Sequence, residues 1–282
     1  MDIKGGRRPF AAAALAGVLA AAFAGGMAGR VAAGGGAAAA RRAAGAKIAA
    51  VAAMAPVDGP APRTADASCA VPVRTDDGVV CGVSRDGWRE YLGVPYAAPP
   101  TGNLRWRPPQ PHAPWTAAYQ ATQPGPHCIS ASIVPGPAPS EDCLWLSVYV
   151  PPRATAASRL PVMVWIHGGA FQFDDDSGNG IGAGAGSGQQ LADTEHVIVV
   201  RVSYRLGALG FLASRAFGAD PGNYGLEDQR AALEWVRRNV RAFGGDPGNV
   251  TLFGQSAGAT STCLQLISPG SRGCNCCRLS VL

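Results

Sequence analysis

The sequence predicts an α/β fold, a parallel or mixed β-sheet with helices on both faces. Three observations carry that prediction. Residues 160–166 and 196–205 hold unbroken apolar runs of strand length, the pattern of strands buried on both sides. Residues 226–243 place Leu226, Ala232, Leu233, Val236, Val240 and Phe243 close to helical spacing. An apolar strand at 250–253 follows that helix, so the order is strand, helix, strand.

The other elements follow in chain order. "GVVCGV" (78–83) and "YLGVPYA" (91–97) read as short strands. Proline is frequent from 99 to 126, which predicts irregular loop. "LWLSVYVP" (144–151) alternates and reads as a strand. The run at 160–171 is a buried strand ending in a glycine turn, "HGGAF". "GNGIGAGAGSG" (178–188) lacks the lysine of a P-loop and the strand-to-helix setting of a dinucleotide fingerprint. It is expected to be a surface loop. "GGDPGN" ends the long helix, and a helix of small residues starts near Ala257. No internal repeat is visible.

Composition narrows the function classes. The 282 residues are 47% hydrophobic and 15% charged, enough apolar material for a sizeable core. The net charge of +5 is mild, and much of the basic excess lies near the start, at Lys4, Arg7, Arg8, Arg30, Arg41, Arg42 and Lys47. No basic stripe is interleaved with aromatics, so nothing supports a nucleic-acid partner. Lys4, Arg7 and Arg8 precede an alanine-rich apolar stretch at 10–28, the layout of a secretory signal. "RRPF" (7–10) also resembles a twin-arginine signal. So much alanine and glycine makes a poor span, and no stable membrane anchor is expected. Residues 1–63 read as a signal-like segment and an Ala/Gly/Pro-rich leader outside the fold. Eight cysteines fit an oxidising compartment, so the expected location is secreted or periplasmic. Cys274, Cys276 and Cys277 crowd the end without a second cluster or nearby histidines, and no metal is expected there.

The chemistry-bearing stretch is "VTLFGQSAGA" (250–259). An apolar strand ends at Gly254, and Ser256 sits between Gly254 and Gly258. Glycines on both sides of a serine let a strand and a helix approach closely around a strained turn, the geometry of a nucleophile elbow. The bland alternative is a glycine-rich turn with an idle serine. "HGGAF" (167–171) shifts the balance. Attack on an ester carbonyl builds negative charge on its oxygen, and fixed backbone N–H groups shielded from water stabilise that charge.

These residues carry a resemblance. The chain is similar to the type-B carboxylesterase and cholinesterase family of α/β-hydrolases. The matching stretches are "YLGVPYAAPPTGNLRWRPPQP" (91–111), "EDCLWLSVYVP" (141–151), "PVMVWIHGGAF" (161–171), "VSYRLGALGFL" (202–212) and "NYGLEDQRAALEWVRRNVRAFGGDPGNVTLFGQSAGA" (223–259). The likeness runs from about Val73 to Gly273.

The resemblance implies an α/β-hydrolase fold and a small-molecule carboxylic ester substrate, with no cofactor or metal. Ser256 would be the acylated nucleophile, with oxyanion N–H groups from Gly169, Ala170 and Ala257. Cys128 would pair with Cys143. Arg105 with Glu141, and Arg205 with Asp228, would be buried ion pairs, and stranding one partner would cost roughly 3–5 kcal/mol. Cys69 and Cys81 are open to a second disulfide that the sequence does not establish. Two departures stand out. Position 255 is Gln where the family commonly has Glu. The loop between Cys128 and Cys143 contains no tryptophan, so the aromatic face that would hold a quaternary ammonium is missing there, and choline esters are not expected to be preferred.

A serine needs a base. In this fold the chain order is serine, acid, histidine. The residues after Ser256 contain no Asp, Glu or His. The four histidines, His112, His127, His167 and His196, all lie upstream. His196, opening a buried strand, is expected to be a satisfied structural histidine. The resemblance implies a family about twice this length. The expectation is therefore a fold truncated shortly after the elbow, with 64–273 the N-terminal part of the esterase domain. Residues 274–282 would then be an unrelated cysteine-rich tail, as after a reading-frame shift. The strand at 250–253 would expose its edge, an aggregation hazard. The leading function is a carboxylic ester hydrolase, inactive in this chain. The alternatives are a non-catalytic fragment or pseudogene product, and a cholinesterase-like adhesion protein. Adhesion relatives typically lose the nucleophile, which this chain keeps.

Overall fold

In the computed structural model the described residues are 69–131, 138–173, 191–193, 196–217, 222–271 and the backbone of 277–279. All fall in the compact unit Ala55–Leu282. The expected leader and the 178–188 loop lie outside the described residues.

The strands are β1 (Val71–Thr75), β2 (Gly78–Arg85), β3 (Trp88–Pro95), β4 (Tyr119–Gln120), β5 (Trp145–Val150), β6 (Leu160–Ile166), β7 (Ile198–Val202), β8 (Gly245–Gly254) and β9 (Cys277–Leu279). They form one mixed sheet in the order β1-β2-β3-β5-β7-β6-β8-β9, with β4 beside β2. β1, β2, β3, β5 and β7 pair antiparallel in sequence along the sheet. β7, β6, β8 and β9 are parallel. The helices are α1 (Gly207–Phe211), α2 (Tyr224–Asn239) and α3 (Ala257–Ile267).

Side-chain alternation divides the sheet into two faces. Val148, Val150, Val162, Val164, Val200 and Val202 point into the main core with Trp235, Val236 and Phe243. Leu92, Tyr149 and Val199, from the intervening positions, make a smaller cluster with Ala192, which lies outside the sheet. The apolar runs at β6 and β7 are continuous because both faces are covered.

Several boundaries differ from the sequence reading. The long helix starts at Tyr224 and gives way to a 3₁₀ turn over Val240–Phe243. Gly244, at φ 102°, ends that turn, a conformation open to glycine. The "GGDPGN" stretch is not purely a turn. Gly245 already pairs with Leu160, and an irregularity then carries the chain to the pair Val162↔Val250. Within the proline-rich loop, β4 pairs with β2. The expected bare edge of the 250–253 strand is corrected too. Backbone of Cys277, Arg278 and Leu279 pairs with Val250, Thr251 and Leu252. A ladder needs only N–H and C=O groups in register, which a tail of any sequence supplies.

Candidate active site

The end of β8 and the start of α3 form one tight corner. Ser256 lies between them with φ 55° and ψ −118°, outside the ordinary wells of an L-residue. Such a conformation costs about 1–3 kcal/mol and persists only where its surroundings enforce it. Here the enforcement is visible. A Cβ on Gly258 would lie 2.0 Å from the oxygen of Ile166, and one on Gly254 would lie 2.5 Å from the carbonyl carbon of Gly258. Both glycines therefore let α3 start against the end of β6. The turn closes with Gly258 N–H donating to the oxygen of Gln255 at 2.8 Å. Ser256 is exposed, and Ala257, the first residue of α3, is buried.

The turn after β6 leans on this corner. A Cβ on Gly168 would meet the backbone oxygen of Gln255 at 2.8 Å and the Cβ of Ser256 at 3.3 Å. Gly169, Ala170 and Phe171 then run at φ 100°, 53° and 59°. The oxygen of Gly169 accepts from the N–H groups of Gln172 and Phe173, at 2.9 and 2.8 Å. Among the described residues no acceptor engages the N–H of Gly169 or Ala170. The structure thus brings Gly168 against Ser256, with Gly169 and Ala170 next in the chain and Ala257 at the helix start, where N–H groups lack helical partners.

Neighbouring loops brace the turn. Gly207 N–H donates to the oxygen of Phe171 at 2.7 Å, and Ala131 N–H to that of Gln172 at 2.9 Å. Ala131 follows Cys128, which forms a disulfide with Cys143. Cys69 and Cys81 form a second disulfide. Cys128, Cys143, Arg105, Glu141 and Arg205 line one small cleft. Tyr96 donates its hydroxyl hydrogen to the oxygen of Ser203 at 2.7 Å, and burial pushes its phenol pKa well above the usual range.

The two ion pairs are not alike. Arg205 and Asp228 are 3% and 0% exposed. Arg205 makes a fork to Asp228, with Nε–Oδ2 at 2.8 Å and Nη2–Oδ1 at 2.7 Å. Burial raises the Asp228 pKa, opposed by the charge and hydrogen bonds of Arg205. Arg105 and Glu141 pair at 2.6 Å but are 30% and 21% exposed, which corrects their expected burial. They sit at the rim of the cleft, where water reaches both groups. The hydrogen bond to Glu141 raises the Arg105 pKa.

No side chain among the described residues hydrogen-bonds to the Ser256 hydroxyl. The Nδ1 of His112 meets the oxygen of Ala113, and the Nδ1 of His167 meets the oxygen of Gly168. His127 is buried. His196 is exposed at φ 51°, correcting its expected place in a buried strand, because β7 begins two residues later. It lines a surface cleft with Arg153 and Asp193. No group of three or more His, Cys, Asp or Glu among the described residues is placed to hold a metal. No helix among them is long and apolar enough to cross a membrane.

A mixed sheet with a strained serine at a strand-to-helix corner, facing a glycine turn from the neighbouring strand, defines an α/β-hydrolase fold. The comparisons give the family. Residues 70–276 match the model of the carboxylesterase family, and the chain belongs to that family. It is 44% identical over 208 residues to the para-nitrobenzyl esterase of Bacillus subtilis, covering 71% of this chain and 41% of that protein. It is 42% identical over 212 residues to a carboxylic ester hydrolase of Bombus ignitus, covering 71% and 37%. A solved PNB esterase superposes with a TM-score of 0.65 at 44% identity, over 72% of this chain and 42% of that one. The carboxylesterase of Geobacillus stearothermophilus gives 0.66 at 37% identity, over 74% and 43%. The matched part of the chain thus spans about two fifths of the length of these relatives.

Proposed function

We propose that the protein is the nucleophile-bearing part of a secreted carboxylic ester hydrolase that works through an acyl-enzyme. The observation that carries this reading is the enforced conformation of Ser256. A turn held at φ 55° by two close-approach glycines presents an exposed serine against Gly168, the residue before 169–170, whose N–H groups meet no acceptor among the described residues. An idle serine gives no reason for such strain.

In the proposed chemistry, the Ser256 oxygen attacks the ester carbonyl carbon while a base takes its proton. The N–H groups of Gly169, Ala170 and Ala257 receive the developing oxyanion. Collapse breaks the carbon–oxygen bond, and the proton passes to the departing alcohol. Water, deprotonated by the same base, then frees the acid. In the chain order of this fold the carboxylate and the histidine follow the serine, and residues 257–282 hold no Asp, Glu or His to assign to those roles. The names of the relatives, among them para-nitrobenzyl esterase and carboxylic ester hydrolase, support a small carboxylic ester as substrate. Two disulfides and the signal-like start support export.

The test is labelling with a fluorophosphonate, which reacts with activated serines. A form extended by the acid and histidine of the family should label rapidly, and its Ser256→Ala variant should not. Labelling that persists in the variant would overturn the assignment. A folded extended form that never labels would favour the remnant reading.

A further inference from the structure

Two consecutive peptide groups lead into the glycine turn, and a side chain holds the carbonyl of each. The Tyr204 O–H donates to the oxygen of His167 at 2.9 Å. The His167 Nδ1 lies 2.8 Å from the oxygen of Gly168. A carbonyl only accepts, so Nδ1 carries the hydrogen. The rings of His167 and Tyr204 stack at 4.4 Å with planes 22° apart, so each fixes the other. Both are buried, at 1% and 0% exposure. The His167 Nε2 is buried with no partner among the described residues.

That idle nitrogen is informative. An apolar ring would fill the same space without desolvating a polar atom. What the imidazole adds is one hydrogen bond, to the oxygen of Gly168. In a trans peptide the C=O of one residue and the N–H of the next share a plane and point in opposite directions. The described residues contain no cis peptide. Holding the oxygen of Gly168 therefore sets the direction of the Gly169 N–H. Two successive glycines would otherwise leave that peptide free to reorient.

We propose that His167 and Tyr204 are positioning residues: a stacked pair that clamps the 167–168 and 168–169 peptides and so aims the Gly169 N–H. Its catalytic meaning rests on the reading of Gly169 as an oxyanion donor; the clamp itself does not. Nitrogen-15 NMR of the chain at pH about 8 tests it in two ways. The His167 ring should carry its hydrogen on Nδ1, with Nε2 bare. The residual dipolar coupling of the Gly169 N–H should fit the structure as well as those of β6 and β8 do. In Tyr204→Phe, which keeps the stack, and in His167→Phe, which keeps the ring, that coupling should shift beyond the scatter of the strands while the strand couplings hold. Hydrogen on Nε2, or an unmoved Gly169 coupling in both folded variants, would overturn the clamp. Should both variants unfold, the ring tautomer of the parent chain still decides. Failure of Ser256 to label in an extended form, with the couplings as expected, would sink the oxyanion reading and leave the clamp standing.

Discussion

Replacing Gly258 by alanine asks whether the elbow is held by contact, as the geometry implies. The added Cβ would stand 2.0 Å from the oxygen of Ile166 and 2.8 Å from that of His167. Ordinary contact begins near 3.4 Å, so the first overlap is about 1.4 Å. The obstructing atoms are backbone. Ile166 is fixed by its pairing with Val202 on one side and Gly254 on the other. Neither can swing away as a flexible side chain would, so α3 must lift from the sheet. Overpacking of this kind costs about 3 kcal/mol, at the upper end of the usual range. Gly102→Ala is the control. It sits at φ 54° with nothing within 4 Å of the added carbon, so only backbone strain of about 1 kcal/mol is expected. Urea unfolding followed by tryptophan fluorescence measures both. With a slope of about 2 kcal/mol per M, the midpoint should fall by about 1.5 M for Gly258→Ala and about 0.5 M for the control. Midpoints within about 0.2 M of each other would refute the close approach as the device that holds Ser256.

Three further predictions use the same assay. Asp228→Asn strands the buried Arg205 and should cost about 3–5 kcal/mol, whereas Glu141→Gln at the wetter rim should cost about 1 kcal/mol; equal losses would undo the distinction. The Tyr91 hydroxyl is buried without a partner among the described residues, and burial raises its pKa to about 12. The folded state thus favours the neutral phenol. Its stabilising effect is complete below pH about 10 and is lost as pH rises toward about 12, up to roughly 3 kcal/mol. Tyr91→Phe should flatten that alkaline loss without harm at pH 7, and an unchanged alkaline slope would count against it. Reducing the Cys128–Cys143 bond, which joins residues 15 apart, should cost about 3 kcal/mol, read by comparing the oxidised chain with its double serine variant.

Much of this site was legible because its chemistry is written in small residues. The glycines at 254 and 258 marked a close approach before any coordinate did, and the structure supplies the obstacle, the carbonyl of Ile166. The long helix and the buried strands followed from periodicity, which burial on two faces imposes. What stayed hidden depended on partners distant in sequence. The Arg105–Glu141 pair was expected to be buried, yet exposure is set by the cleft rim and not by the two residues. The pairing of Cys277–Leu279 with β8 had no sequence signal, because a strand edge accepts backbone irrespective of side chains. The Tyr204–His167 stack needed residues 37 apart to meet.

Ser256 is proposed to be the nucleophile of an esterase site whose acid and histidine follow it in the chain order of the fold. Sequencing the transcript across and beyond the codon for Gly273 tests it most directly. The expected result is a frame that continues the carboxylesterase pattern, with a Glu or Asp and then a His downstream of Ser256. A stop after Leu282 in every transcript would contradict it. The base would then have no source, and the chain would be a remnant with an intact serine elbow.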